Sequence, residues 1–341
     1  MSDVSVRENF GTTPSGEVVE RVTISNGGLT AKVITWGAVI QDLRIDGHDA
    51  PLVLGFDNFD DYPKYSSYFG ATPGRNANRI ANGQFSIDGK SYQLEKNERN
   101  ITHLHGGSDG MGKRNWTIVS VSATDVVLSI TDPDGRAGYP GNCEITATYR
   151  LSANGTLSVI YDATCDQPTI ANLCQHSYFK LDAAETILDH DIQILADHYL
   201  PVDGNLIPTG EIRPVDGTEF DLRQLAAIRR SANGELVSFD HNFCLSNERR
   251  FKTKVATLRS AASGVQLDVF TTEPGVQLYT GGKLNAPVTG LNGTKIVPYA
   301  GVCLETQIWP DAVNHENFPE AVLHPGETLR QETDYVFSRQ A

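Results

Sequence analysis

The sequence predicts an all-β protein, a large antiparallel β-sandwich with few short helices. The 341 residues include 31 glycines, and turn signals recur about every ten residues, a spacing typical of β-sandwiches and barrels. Short runs of alternating apolar and polar residues lie between these turns. Helix signals are rare, and no linker or internal repeat divides the chain. We therefore expect a single domain over residues 1–341.

Paired alternating runs predict β-hairpins and further strands along the chain. Asp88-Gly89-Lys90 separates residues 84–87 from 91–94, and the turn at Asn154-Gly155 separates 149–151 from 157–161. Asn-Gly is the pair favoured in type I′ hairpin turns. Other alternating runs are 22–24, 29–34, 39–45, 265–270 and 276–279. A Pro-Gly turn joins the last two. Residues 221–228 have helical spacing with an Asp at a plausible N-cap, which predicts one short helix.

Charge and cysteine usage exclude several classes of partner. The net charge of −14 argues against nucleic acid and anionic membrane surfaces, since both require a basic footprint. No apolar run is long enough to span a bilayer, and the N-terminus shows no signal peptide. The five cysteines are odd in number and widely spread, which indicates free thiols in a reducing compartment. We expect a cytoplasmic protein.

Cofactor motifs are missing from the sequence. There is no GxxxxGK[ST] and no strand-GxGxxG-helix unit, so a nucleotide cofactor is not expected. His103-Leu104-His105 has the spacing that can begin a metal site in cupin-type barrels. The chain continues as Gly106-Gly107 without the required glutamate, and we predict no metal.

An acidic residue stands out in residues 301–310, which read as a strand ended by a proline. Side chains of a strand alternate between two faces, so Val302 and Leu304 should face the core while Cys303, Glu305 and Gln307 face the other way. A glutamate is rarely buried without a partner. Position alone leaves three alternatives: a polar cleft, an ion pair or a solvated strand face.

Four other segments place polar groups on strand-like or turn-like backbone. Residues 169–179 read as a strand whose Asn172, Cys174, His176 and Tyr178 point one way. Residues 275–279 repeat the Glu305 pattern with Gln277 and Tyr279, and residues 239–244 place Asp240 between aromatics, as a strand or an Asx-type turn. Residues 74–80 contain Arg75 and Arg79, one of which we expect to be structural. Each segment also has an ordinary structural interpretation.

These polar residues suit a neutral polyol. Sugars need many donors and acceptors for their hydroxyls and aromatic surfaces for their C–H faces. A carboxylate and an imidazole, with reference pKa values of about 4.3 and 6.5, fit proton transfer near neutrality after modest tuning. A reaction that only moves protons needs no cofactor.

Six short motifs follow one another along the chain. They are Gly74-Arg75-Asn76-Ala77-Asn78-Arg79-Ile80, His103-Leu104-His105-Gly106-Gly107, His176-Ser177-Tyr178-Phe179, Asp240-His241-Asn242-Phe243, Pro274-Gly275-Val276-Gln277-Leu278-Tyr279-Thr280-Gly281 and Glu305-Thr306-Gln307. In this order they resemble the motifs of aldose 1-epimerases (galactose mutarotases). Each motif alone is weak, whereas six in order are specific, and the resemblance covers the chain from Trp36 to about Pro325.

The resemblance implies a galactose mutarotase-like supersandwich with its site in an open cleft. It implies interconversion of the α and β anomers of free aldohexoses such as glucose and galactose. Glu305 corresponds to the general base, His176 to the general acid, and His105 to an assisting, sugar-binding imidazole. The remaining sugar-binding positions correspond to Asn78, Arg79, Tyr178, Asp240 and Gln277.

Departures from the family pattern and other activities leave alternatives open. Gln175, Lys180 and Ile308 differ from the usual family residues and bear on which aldose is preferred.

The alternative functions are a non-catalytic sugar-binding or sensor protein, a glycoside hydrolase using Glu305 and Asp240, and a hexose-6-phosphate 1-epimerase. The acidic chain disfavours the last. The expected partner is a small aldose, and the expected assembly is a monomer or a homodimer.

Overall fold

The computed structural model describes residues 6–339 and consists mainly of β-strands. The first fourteen strands are β1 (Val6–Thr12), β2 (Val18–Asn26), β3 (Leu29–Ile34), β4 (Val39–Ile45), β5 (Arg79–Ile80), β6 (Gln84–Ile87), β7 (Lys90–Gln93), β8 (His103–Leu104), β9 (Thr117–Val121), β10 (Asp125–Asp132), β11 (Cys143–Ser152), β12 (Thr156–Cys165), β13 (Thr169–Ile170) and β14 (Tyr178–Phe179). The others are β15 (Asp191–Ile194), β16 (His198–Tyr199), β17 (Arg213–Pro214), β18 (Ala226–Ala227), β19 (Ser231–Ala232), β20 (Glu235–Leu236), β21 (Asp240–Cys244), β22 (Thr253–Arg259), β23 (Val265–Thr271), β24 (Gly275–Tyr279), β25 (Val302–Gln307), β26 (Val322–Leu323) and β27 (Leu329–Arg339).

Helices are few and short, as predicted. Within the described range there is one α-helix, α1 (Tyr62–Tyr65), and the rest are single 3₁₀ turns at Phe59–Asp61, Ala81–Gly83, Met111–Lys113, Arg136–Gly138, Leu291–Gly293 and Ala312–Asn314. No helix among residues 6–339 is long and apolar enough to cross a membrane.

The strands form two large antiparallel sheets and several smaller ones. The larger sheet has the order β18-β15-β22-β23-β27-β12-β11-β10-β9, and the second has the order β14-β25-β24-β21-β16-β17. A third sheet, β1-β2-β3-β4, forms from the N-terminal strands. Every pair of neighbouring strands in these sheets is antiparallel. The predicted all-β antiparallel fold is confirmed.

The nine-stranded and six-stranded sheets pack face to face across the main core. Val159 of β12 and Leu267 of β23 lie in one buried cluster with Leu278 of β24 and Leu304 of β25. Aligned packing of two sheets with interdigitated apolar side chains is the sandwich arrangement. The opposite face of the six-stranded sheet is therefore turned away from the main core, toward loops from the first half of the chain.

The predicted hairpins are largely confirmed. β6 pairs with β7 around Asp88-Gly89, β11 with β12 around Asn154-Gly155, and β2, β3 and β4 follow one another. The runs on either side of the Pro-Gly turn do form β23 and β24, but these strands belong to different sheets. The turn crosses between the sheets, and its Pro274 carbonyl accepts a hydrogen bond from Leu245 N–H at 2.8 Å.

The predicted helix at residues 221–228 is wrong. The Asp221 carboxylate bonds the Arg223 side chain at 2.9 and 2.7 Å instead of capping a helix. Residues 226 and 227 form β18, which pairs with β15, and Ile228 N–H bonds the His190 carbonyl at 2.8 Å. An eight-residue helix is marginal by itself, and the edge of the large sheet offers these peptide groups better partners.

The predicted continuous strand at residues 169–179 is also corrected. Only its two ends, β13 and β14, are strands. Between them the backbone pairs with a loop: Asn172 N–H bonds Arg75 O at 2.9 Å, and His176 N–H bonds Ala71 O at 2.9 Å. The segment stays extended without a strand partner, and these bonds place His176 above the six-stranded sheet.

Arg75 is the structural arginine that the sequence predicted. It is 1% exposed, and its guanidinium donates to Asp132 Oδ2 at 2.9 Å, Pro140 O at 2.7 Å and Thr169 Oγ1 at 2.9 Å. Replacing it with Met removes the donor to Asp132 Oδ2 and to the buried Pro140 and Thr169 acceptors, while Arg114 still bonds Asp132 Oδ1. We expect Arg75→Met to lower the free energy of unfolding by about 3–5 kcal/mol, measured by urea denaturation.

The matched control for Arg75 is Arg330→Met. Arg330 is an exposed residue whose Nη1 lies 3.1 Å from Asp162, and exposed pairs contribute about 0–1 kcal/mol. Equal losses in the two variants would contradict the structural role of Arg75.

Candidate active site

The outer face of the six-stranded sheet carries a row of polar side chains. Cross-strand pairing aligns Asn242 of β21 with Gln277 of β24 and Glu305 of β25. Directly opposed residues share one face of a sheet, so these side chains all point away from the main core. Leu278 and Leu304, the intervening residues, fill that core. The predicted strand at Glu305 is confirmed, and its carboxylate is buried at 2% exposure.

Glu305 and His176 face each other on this surface. His176 Nε2 lies 3.6 Å from Glu305 Oε1, and both residues are buried. Each also contacts a thiol: Cys174 Sγ lies 3.6 Å from Glu305 Oε2, and Cys303 Sγ lies 3.5 Å from His176 Nδ1. A carboxylate and an imidazole at this separation can act together on two neighbouring oxygens of one small molecule.

His105 approaches the same point from the loop that follows β8, which pairs with β5. It has a left-handed backbone with φ of 52°, and Gly106 follows because a Cβ there would overlap the Gly74 carbonyl. His105 Nδ1 accepts a hydrogen bond from Asn78 N–H at 3.1 Å. In the neutral ring the hydrogen is therefore on Nε2. One ligating atom from each of His105, His176 and Glu305 lies within 4.8 Å of the others.

The two imidazoles of the His-Leu-His motif do not share a site. His103 bonds Glu95 O at 2.7 Å and the Tyr139 hydroxyl at 2.7 Å. The cluster of His105, His176 and Glu305 has a donor set that suits a divalent cation. A neutral His105 that accepts at Nδ1, however, carries its hydrogen on Nε2 and has no lone pair there to offer a metal. The absence of a metal stays our prediction.

A network of charged and amide side chains lies beside the cluster of His105, His176 and Glu305. Arg79 binds Glu98 through two bonds of 2.8 and 2.9 Å and lies 3.8 Å from Asp240 Oδ2. Gln277 Nε2 donates to Asp240 Oδ1 at 2.7 Å. Gln277 Oε1 is buried without a hydrogen-bond partner among residues 6–339. This network presents fixed donors and acceptors about a central space, as recognition of hydroxyl groups requires.

Nearly all the predicted site residues line one cavity of about 370 Å³. Its lining residues are Ser66, Ser67, Tyr68, Asn78, Arg79, Glu98, Leu104, His105, His176, Tyr178, Asp240, Tyr279, Lys283 and Glu305. Gln277 lies just beneath, bonded to Asp240. A wider groove of about 770 Å³ lies beside the β6–β7 hairpin. We place the site in the smaller cavity because the carboxylate, both imidazoles and the arginine converge there.

Tyr68 and Glu98 are site residues that sequence reasoning missed. The Tyr68 ring stacks on His176 at 5.8 Å between centroids and contacts His105 at 4.7 Å. Glu98 orients Arg79 and accepts from Thr102 at 2.8 Å. Glu98 lies in a charged stretch that reads as ordinary surface. Tyr68 has a left-handed backbone with φ of 62°, and the pattern of side chains in the sequence does not predict this conformation.

The three departures from the family pattern do not line the cavity. Gln175 donates to Gly70 O at 3.1 Å and supports the loop behind Tyr68. Lys180 faces a separate cavity of about 420 Å³. Ile308 packs in a buried cluster with Trp309 and Phe318. Any influence of these residues on sugar preference must act through the residues they support.

Burial sets the protonation of the central pair. Desolvation, with a smaller contribution from the Asp240 charge, raises the pKa of the Glu305 carboxyl to about 8, and the Cys174 hydrogen bond and the Arg79 charge oppose this. Burial lowers the pKa of His176 to about 4 and that of His105 well below its usual range. Between about pH 4 and pH 8, Glu305 and His176 therefore hold one proton between them.

Comparison with known proteins identifies the family of this site. A family model described as aldose 1-epimerase matches residues 20–336. The chain is 45% identical to the galactose mutarotase of Homo sapiens, covering 97% of this chain and 98% of that protein. It is 35% identical to the aldose 1-epimerase of Escherichia coli (strain K12), covering 95% and 96%.

A solved structure extends this agreement to the fold. The crystal structure of a GalM/aldose epimerase homologue from C. elegans matches with a TM-score of 0.89 at 32% identity, covering 94% of this chain and 99% of that one. Both the sequence matches and this structural match run over nearly the whole chain. The chain belongs to the aldose 1-epimerase family.

Proposed function

We propose that Glu305 and His176 interconvert the α and β anomers of free aldohexoses such as glucose and galactose in this cavity. The observation that supports this most directly is the distance of 3.6 Å between Glu305 Oε1 and His176 Nε2 in a buried, polar site. The galactose mutarotase of Homo sapiens is among the relatives that match nearly the whole chain. The chain is thus an isomerase, and its reaction moves only protons and needs no cofactor.

The reaction begins when Glu305 takes the proton of the anomeric hydroxyl and His176 protonates the ring oxygen. The bond between C1 and the ring oxygen breaks, and the electron pair of the anomeric O–H bond forms the carbonyl of the open-chain aldehyde. Rotation about C1–C2 presents the other carbonyl face. The steps then run in reverse and return both protons to their starting groups.

The shared proton explains why one pair serves both directions. Ring opening converts ionised Glu305 and protonated His176 into neutral Glu305 and neutral His176. The high pKa of Glu305 and the low pKa of His176 make the second state the stable one in the resting protein. When a sugar binds, this proton must therefore pass from Glu305 to His176 before the carboxylate can accept the proton of the anomeric hydroxyl. Acid–base help of this kind contributes about 10²–10⁴-fold.

His105 acts as a fixed hydrogen-bond donor in this proposal. Asn78 N–H occupies its Nδ1, so Nε2–H faces the cavity and can bind the sugar near the ring oxygen. A donor that is already oriented stabilises developing negative charge without reorganisation during the reaction.

Asn78, Arg79, Asp240, Gln277 and Tyr178 bind the sugar in this proposal. Arg79 and Asp240 offer a donor and an acceptor 3.8 Å apart, which suits two adjacent hydroxyls. Gln277 fixes Asp240. Since Asp240 is already bonded by Gln277 and lies beside Arg79, the structure favours a binding role over the second catalytic carboxylate of a glycoside hydrolase.

Polarimetry tests the proposal. Freshly dissolved α-galactose and α-glucose should lose optical rotation much faster with the protein than in buffer alone. Hexose 6-phosphate should equilibrate more slowly than the free hexose, because the chain is acidic overall. Rotation that decays no faster than in buffer, together with measurable galactose binding, would instead favour the sensor alternative.

The pH profile follows from the single shared proton. We expect kcat/KM to rise through about pH 4, remain high, and fall through about pH 8 as the pair loses its last proton. The measurement is polarimetric kcat/KM from acid to alkaline pH, corrected for the spontaneous rate. A rate that keeps rising well above pH 8 would contradict the shared-proton scheme.

The remaining features of this proposal concern location and assembly. We propose a cytoplasmic, single-domain protein over residues 1–341, monomeric or homodimeric, that binds neither nucleic acid nor membranes. All five cysteines are free thiols, which suits a reducing compartment. The net charge of −14 argues against nucleic acid, and the main core joins residues from β2 to β27.

A further inference from the structure

Cys174 donates the side-chain hydrogen bond that the Glu305 carboxylate receives within the described residues. Its side chain is 1% exposed, and Sγ lies 3.6 Å from Glu305 Oε2, while Oε1 faces His176. Within residues 6–339, no backbone N–H, hydroxyl or amide donates a hydrogen bond to this carboxylate. The thiol is therefore the donor that distinguishes one oxygen of Glu305 from the other.

The position of Cys174 is fixed by its backbone neighbours. The Gln331 amide bonds both Leu173 N–H, at 3.0 Å, and Leu173 O, at 3.1 Å. The Tyr161 hydroxyl donates to Cys174 O at 3.3 Å, and His176 N–H bonds Ala71 O. β27, β12 and the loop before Arg75 thus hold the thiol in place beneath Glu305.

The chemistry of a buried thiol suits this contact. Burial and the nearby Glu305 charge raise the pKa of Cys174 well above its usual range, so the S–H hydrogen stays available at every working pH. An S–H group is a weak donor. Stronger donors, such as several backbone N–H groups, would favour the ionised carboxylate and make Glu305 a weaker base.

We propose that Cys174 is a positioning residue for the reaction: its S–H donates to Glu305 Oε2 and directs Oε1 toward His176 and the anomeric hydroxyl. This inference rests on the proposed function of Glu305. Cys174 does not itself exchange a proton with the sugar.

The first test compares two substitutions of Cys174. The hydrogen-bonding role predicts opposite shifts in the pH dependence of kcat/KM, whereas a role in packing alone does not. Cys174→Ala removes the donor. It should raise the apparent pKa that limits kcat/KM on the alkaline side, here called the upper limit, by a few tenths of a unit. Cys174→Ser supplies a stronger donor and should shift it downward, by about 0.7 unit for a hydrogen bond of average strength. The control is Cys143→Ser, a buried thiol of β11 outside the cavity, which should leave the limit unchanged. Shifts in the same direction for both Cys174 variants would overturn the proposal.

The second test needs no turnover. The infrared S–H stretch of Cys174, assigned by its loss in Cys174→Ala, should move to lower frequency as pH rises through the Glu305 pKa of about 8, because the ionised carboxylate is the better acceptor. In Glu305→Gln the band should not respond to pH. A band that ignores pH in the wild type would overturn the positioning role even where polarimetry shows full activity. A band that does respond would support the contact even where polarimetry shows none.

Discussion

Glu305→Gln should abolish mutarotation while leaving sugar binding nearly intact. The amide has the size of the carboxyl group but cannot take the proton of the anomeric hydroxyl. We expect polarimetric kcat for α-galactose to fall by about 10²–10⁴-fold. The dissociation constant for galactose, from calorimetry, should change only a few-fold, since Arg79, Asp240 and Gln277 keep their mutual contacts. Lost binding with turnover intact would contradict the assigned role.

The same variant reports on folding through a pH-dependent stability. Burial raises the pKa of Glu305 from 4.5 to about 8 in the folded protein. Between these values the folded state keeps a proton that the unfolded state has released, so wild-type stability falls as pH rises across this window. Gln carries no such proton. Glu305→Gln should therefore be more stable than the wild type near pH 8, and the difference should shrink toward pH 4.5.

His176→Gln should produce the second large loss of activity. The variant keeps hydrogen-bonding capacity at this position but has no group that can protonate the ring oxygen. We expect kcat to fall by about 10²–10⁴-fold, and the decline in activity near pH 4 to disappear from the profile. Both quantities come from polarimetric rates measured across pH.

The matched control for His176 is His241→Gln. His241 adjoins Asp240 in sequence but lies on the opposite face of β21, where its ring contacts Phe220 at 4.6 Å between centroids. This variant should retain most of the activity. Comparable losses at both positions would indicate a general structural defect and contradict the acid role of His176.

The sequence predicted the fold class, and nearly all the site residues that it proposed line one cavity. Short alternating runs and Asn-Gly or Asp-Gly turns predicted β6–β7 and β11–β12, because hairpin formation depends on local residues. The alternation within residues 276–279 and 301–310 predicted that Gln277 and Glu305 each point to the polar side of their own strand, since the period of a strand is fixed. Their pairing on one face came from the structure. The ordered motifs then assigned roles to His105, His176 and Arg79.

Where the sequence failed, long-range pairing overrode local preference. Residues 221–228 have helical spacing, yet β15 and the His190 carbonyl supply hydrogen bonds that a short helix cannot match. Residues 171–177 alternate like a strand, yet they pair with the loop that contains Arg75. Neither outcome is encoded within the segment itself.

Glu305 shows what the sequence determined and what only the tertiary structure decided. Its strand, and the face to which its side chain points, follow from the order of residues 301–310. Its burial, its pKa of about 8, its pairing with His176 and its contact with Cys174 follow from loops distant in sequence that close over the sheet. Protonation depends on solvent exclusion and on neighbouring charges, and these are properties of the folded chain.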